Sequence, residues 1–165
     1  MNKKNISIDF EYDYDFLLIG ICSTLKDYSL GYHINKTLQT SLKRSKNDVI
    51  MSFQDGLEEA NFSQFEFWDK QFQNQWYMIA NTSTILCSDS NQNQGTIFDG
   101  YIQNIKKIKK LIPENANIDY FLQIHGIFNQ ESKLALLKSI KNLDRIQSAH
   151  VINITELKSK ENLII

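Results

Sequence analysis

Asp27, His33, Glu114, Asp119, His125 and His150 are the side chains of this sequence best suited by type and position to move a proton or hold a metal. A general acid–base site needs several such groups within hydrogen-bond reach of one another around a pocket. Nothing in their spacing requires that arrangement. His125 and His150 fall on two strands of one expected βαβ unit and can approach each other. No third ligand stands at a motif distance from either, so the pair is weak evidence for a metal. A glycine-rich phosphate loop, a serine-centred nucleophile elbow and an HExxH pair are all missing. The expectation is therefore no catalytic residue, no metal and no cofactor, with enzyme activity left open and a non-enzyme favoured.

Binding chemistry has two places to reside. The first is wherever the segment from Leu17 to Asn35 meets the segment from Ile112 to Tyr120, which would gather Asp27, Asn35, Glu114 and Asp119 around a ligand. Each also has a plain structural role: Asp27 as a helix-capping acid, Asn35 as a satisfied core or helix-end amide, Glu114 in a helix stop and Asp119 in a turn. The second is the row Lys106, Lys107, Lys109 and Lys110, a contact face for RNA or an acidic partner, or simply a solvated helix face. A net charge of −1 supplies no global attraction to nucleic acid or anionic lipid, so any such binding would be local. Nucleic acid is not an expected partner; a protein of unknown identity is.

The elements that must position these groups follow from composition and periodicity. At 165 residues with 42% hydrophobic and 22% charged side chains, the chain fits one globular domain over 1–165. Its longest apolar run, Phe16 to Cys22, is too short to span a bilayer, and the start lacks a signal peptide's apolar centre, so a cytoplasmic protein without membrane contact is expected. Cys22 and Cys87, without CxxC spacing, are expected as thiols.

Ile6 to Tyr12 alternates as a half-buried strand, and Phe16 to Cys22 reads as a buried strand first and a short helix second. Thr24 to Asp27 matches a capping box that opens a helix running to about Leu38, with Gly31 marking close backbone approach to a strand. Strands are expected at Ser41–Arg44, Val49–Phe53, Phe62–Trp68 and Trp76–Asn81, the last two as an aromatic-rich hairpin. The polar stretch at about 88–96 reads as a mobile loop. Asp99 then caps a helix ended by Pro113. Ile118 to His125, a helix capped by Asn129 with a Leu134, Leu136, Leu137, Ile140 and Leu143 stripe, and Ile146 to Ile154 make a terminal βαβ unit. The closing Leu-Ile-Ile is expected to dock. The fold class is α+β, with a mainly antiparallel sheet, packed helices and a C-terminal βαβ unit.

The block Ile112-Pro-Glu-Asn-Ala-Asn-Ile-Asp-Tyr120, together with Leu25-Lys-Asp-Tyr28 and the Leu-Ile-Gly run before it, resembles the IPExxVDY family, a bacterial family of unassigned function. Three residues here separate Glu114 from Ile118, where the family has two before a valine. The resemblance implies a protein without assigned catalytic or binding residues. The functions that remain are a non-catalytic protein-interaction or accessory domain, a small-molecule-binding regulatory domain by analogy with ferredoxin-like ligand domains, and RNA association through the lysine row.

Overall fold

A computed structural model describes residues 12–53, 58–88 and 104–165. The strand expected over Ile6 to Tyr12, except Tyr12 itself, and the polar loop after Ser88 lie outside the described residues.

Among the described residues there are two helices and ten strands. The chain enters at β1 (Phe16–Ser23) and passes through α1 (Asp27–Leu38) into β2 (Lys43–Arg44), β3 (Val49–Phe53), β4 (Glu58–Phe62), β5 (Gln64–Asp69) and β6 (Asn74–Ala80). It continues with β7 (Thr82–Ser88), β8 (Asn104–Lys110), β9 (Tyr120–His125), α2 (Gln130–Lys141) and β10 (Ile146–Val151). Six strands form one sheet in the order β10-β1-β9-β6-β5-β2, every neighbouring pair antiparallel. β3 with β4, and β7 with β8, form two further antiparallel ribbons. The α+β class and the mainly antiparallel sheet hold.

β1 is apolar without alternation because it is buried on both faces, and a strand in that position has no period to show. Leu17, Ile19 and Ile21 pack with Leu122, Ile124 and Ala149 beneath both helices. Phe16 and Leu18 belong to a second core with Phe62, Phe121, Leu111, Ile112 and the C-terminal residues Leu157 and Leu163. Helices thus cover one sheet face, while ribbons and irregular chain cover the other.

The terminal βαβ unit needs one correction. β9 and β10 run parallel, as expected, but they are not neighbours, because β1 lies between them and pairs antiparallel with each. β1 and β6 likewise flank β9. This split arrangement, β10-β1-β9-β6 with both helices on one face, is the ferredoxin-like topology, here extended by β5 and β2. A split βαβ unit leaves one strand-width open between its parallel strands, and here apolar β1 fills it.

The helix expected after Asp99 is also corrected: residues 104–110 are strand, paired with β7 from Thr82↔Lys110 to Ser88↔Asn104. Isoleucines at 105 and 108 among lysines have a helical spacing, and in a strand they fall on opposite faces, so local periodicity favoured the wrong element. The pairing with β7, which carries Thr82, Thr84 and Ile85, decides it. Ile108, expected on a buried helix face, is 69% exposed.

The capping box at Thr24 is not formed. β1 runs on to Ser23, and α1 starts at Asp27 with no side-chain cap from Lys26. Ser23 Oγ accepts instead from Leu25 N–H at 3.1 Å. Asn129 does cap α2, accepting from Ser132 N–H at 2.8 Å. The expected hairpin of β5 and β6 forms, with Phe65 and Trp76 buried and Trp68 and Phe72 exposed towards its tip.

Gly31 sits over Phe65 and Met78, and a Cβ built there would lie 3.5 Å from the Met78 methyl, an ordinary contact. Gly31→Ala is therefore expected to stabilise the protein by about 0.5–1 kcal/mol through backbone entropy. A higher urea midpoint at unchanged m-value checks it; a lower midpoint would show that the helix cannot accommodate the methyl group.

Candidate functional site

The two segments singled out by sequence do meet. Asp119 Oδ2 accepts from Ser23 N–H at 2.8 Å, and Asp119 N–H donates to Ile21 O at 3.0 Å. Cys22, half-buried against the second core, has its Sγ 3.0 Å from Asn117 O. The Tyr120 hydroxyl donates to Leu25 O at 2.7 Å. Burial, then the nearby charges of Asp27 and Asp119, push its pKa up to about 12. Neutral at physiological pH, Tyr120 holds the start of α1 to the start of β9.

Asn81 builds this junction from beneath, and sequence reasoning passed over it as the end of a strand. Fully buried, it donates from Nδ2 to Asn115 O at 3.0 Å and Ile118 O at 2.8 Å, and accepts at Oδ1 from Ile112 N–H at 2.8 Å. Its backbone N–H and carbonyl join Asp119 and Leu111. The path from Ile112 to Asp119, including the short 3-10 turn Pro113–Asn115, is thus wrapped around one amide. Pro113 opens that turn, where its fixed φ is favourable.

The four candidate ligand residues are not gathered into one site. Asp27 and Asp119 lie near Tyr120, while Asn35 is about 12 Å further along α1 by helical rise. Asn35 accepts from Leu42 N–H at 2.7 Å and the Thr40 hydroxyl at 2.9 Å, and donates to Leu42 O at 3.0 Å, which closes the chain after α1. Glu114 lies on the far side of the sheet, accepting from Ser159 N–H at 2.7 Å and its hydroxyl at 3.0 Å.

Desolvation works against the charge of Glu114, exposed as it is, but hydrogen bonds from Ser159 and from the Glu114 and Lys158 backbone outweigh it and hold the carboxyl below its ordinary pKa. A depressed folded-state pKa contributes stability that is present above the unfolded value and lost as pH falls through the folded one. Docking of the C-terminal segment is therefore expected to loosen on acidification through the lowered pKa of Glu114, and in Glu114→Gln at neutral pH. Faster exchange of the Ser159 amide in both cases is the check; unchanged exchange would mean that Leu163 and Asn162 hold the segment alone.

Lysines of β8 are divided between two faces, since alternate residues of a strand point oppositely. Lys107 and Lys109 approach Glu58 at 2.6 and 2.7 Å, and Lys109 also lies 4.6 Å over the Phe53 ring. Lys110 donates to Thr82 Oγ1 at 2.7 Å. The continuous helical face of Lys106, Lys107, Lys109 and Lys110 does not exist. His125 and His150 are separated by β1, in register with Phe16 and Gly20 respectively, which places them about 16 Å apart by strand geometry. His33 is on α1, edge-on to Tyr32. Among the described residues no cluster of three His, Cys, Asp or Glu can hold a metal.

Concavity is found at the opposite end of the sheet, where β1 begins and β9 and β10 finish. A cavity of about 210 Å³ is lined by Asp15, Phe16, Leu17, Gly126, Ile127, Phe128 and Lys133. A second of about 430 Å³ shares Phe16, Leu17 and Lys133 and extends to Val151 and Thr155. Around them Ile127 is 100% exposed, Leu134 58% and Val151 47%. Leu134 was expected in the buried stripe of α2 and lies outside it, while Lys133 turns partly inward.

Nearby, buried Gln123 is 2.8 Å from His125 Nε2 and donates to Leu163 O at 3.2 Å, fastening the C-terminus beneath the sheet. Burial lowers the His125 pKa against the opposing charge of Asp15. No helix among the described residues is long and apolar enough to cross a membrane. No family model matches this chain, and neither a curated protein nor a solved structure does.

Proposed function

We propose that this chain is a non-catalytic protein-interaction domain, and that it belongs to the IPExxVDY family on the strength of its Ile112 to Tyr120 and Leu25 to Tyr28 blocks. The observation that carries the interaction reading is the exposed apolar set Ile127, Leu134 and Val151 bordering the concavities around Lys133. Single exposed apolar residues are ordinary, whereas a group around two adjoining concavities is the usual mark of a docking surface. The polar residues best suited to chemistry support the same reading, because Asn35, Glu114 and Asp119 are engaged in hydrogen bonds that hold the fold.

Affinity capture of the protein tagged at its own locus, with and without nuclease, is the test. A stoichiometric protein that survives nuclease, a second copy of this chain included, is expected. A chain captured alone and monomeric by mass overturns the reading, and partners that vanish with nuclease would return attention to RNA.

The 430 Å³ cavity also favours a second reading, a small-molecule regulatory domain, since that volume is within the range of ligand pockets. It predicts a rise in melting temperature with a metabolite, abolished by Lys133→Ala.

A further inference from the structure

The two edges of the main sheet are built differently. β2 closes one end with only Lys43–Arg44, a short and basic edge of the kind that discourages further strand pairing. β10 closes the other with Ile146, Gln147, Ser148, Ala149, His150 and Val151, six residues without Lys, Arg, Asp, Glu or Pro. Ile152 N–H donates to Leu18 O at 2.8 Å, so by the alternation of an antiparallel ladder Ala149 and Val151 direct their N–H and C=O groups away from β1. No strand among the described residues takes these groups.

α2 lies over this edge. Its inner side is Lys133, Leu136, Leu137 and Ile140, and with the right-handed crossover from β9 to β10 its flank towards the open edge carries Gln130, Leu134 and Lys141. Leu134 and Val151, both about half exposed, therefore border the edge together. The exposed charges of α2 are ordered: Glu131 in the first turn, Lys138 and Lys141 in the last. An antiparallel copy of α2 would set acid against base at both ends; a parallel copy would set like against like.

We propose that the β10 edge and the adjoining flank of α2 are the surface on which a second copy of this chain docks, β10 against β10 about a two-fold axis, joining the two sheets into one. The inference rests on the interaction reading and names the occupant. A two-fold axis makes β10 and α2 antiparallel to their own copies, the orientation that the charge order of α2 requires. The free backbone groups of Ala149 and Val151 meet their equivalents, and Leu134 is covered.

Sedimentation velocity over a concentration series, with hydrogen exchange on the same samples, tests this. A species of twice the 19.3 kDa chain mass is expected, with Ala149 and Val151 amides becoming protected as concentration rises and the β2 edge unaffected. Val151→Lys and Leu134→Lys should each weaken dimerisation by about tenfold or more. Glu131→Lys should weaken it, and the combination with Lys138→Glu and Lys141→Glu should restore it. The exchange pattern decides the matter even where a variant folds poorly.

A monomer at every concentration overturns the proposal, as does a dimer whose Ala149 and Val151 amides remain unprotected. A monomer in which a different captured protein protects those amides overturns self-pairing while leaving the interaction reading intact.

Discussion

Asn81→Ala is expected to destabilise the protein by about 2–5 kcal/mol, because it strips the side-chain partner from two buried backbone groups at once, each costing about 1–3 kcal/mol when left unsatisfied. The carbonyl of Ile118 and the N–H of Ile112 are satisfied by this one amide, which also reaches the Asn115 carbonyl, itself still bonded to Ile118 N–H. Equilibrium urea denaturation reads the loss; a change below about 1 kcal/mol would mean that water replaces the amide without difficulty. Asn81→Asp is the sharper companion. It keeps the acceptor for Ile112 but turns a second oxygen towards two carbonyls, so burial and repulsion raise its pKa in the folded state. A raised folded pKa means that the folded state binds its proton more tightly than the unfolded one. The deficit relative to wild type should therefore shrink as pH falls. In both variants, amides between Ile112 and Asp119 should lose exchange protection before the rest of the sheet.

Gly126→Ala is expected to cost about 2–4 kcal/mol, since it combines backbone strain with a collision. Gly126 has φ of 145°, a conformation that side-chain-bearing residues rarely adopt, and a Cβ there would run into the side chain of buried Asn74. The turn it makes carries the chain from β9 to the Asn129 cap of α2. The two contributions separate in a double mutant: Asn74→Ala removes the collision but not the strain, so Gly126→Ala should cost less in that background. Equal costs in both backgrounds would assign the whole effect to φ. Cost-free substitution would show that the turn can be rebuilt.

Much of the local architecture is legible in the sequence. β3 occupies the expected residues, the β5 and β6 hairpin forms, and Asn129 caps α2, whereas Pro113, read as the stop of a helix, instead opens the turn before β9. Each depends on residues a few positions apart. The capping box at Thr24 has the same local logic and still fails, because Ser23 is committed to Asp119, 96 residues away. The lysine row failed for a different reason: its spacing suits a helix, and the seven-residue pairing with β7 overrides that local preference.

The candidate site was less legible than the fold. Asp27, Asn35, Glu114 and Asp119 were picked by residue type. Type says what a group can bind but not whether the fold has already engaged it. Asn81 escaped notice because its importance lies in what surrounds it, and its partners come from residues 31 to 37 positions later.

Apolar periodicity, caps and turn residues, all properties of neighbouring positions, settled by themselves that the chain is an α+β fold and where most of its elements lie. The insertion of β1 between β9 and β10, the conversion of 104–110 to strand and a β10 edge that no described strand covers were decided only by tertiary structure. Strand pairing is a contest among distant segments for the same backbone groups, and its winner is set by burial and register across the whole sheet.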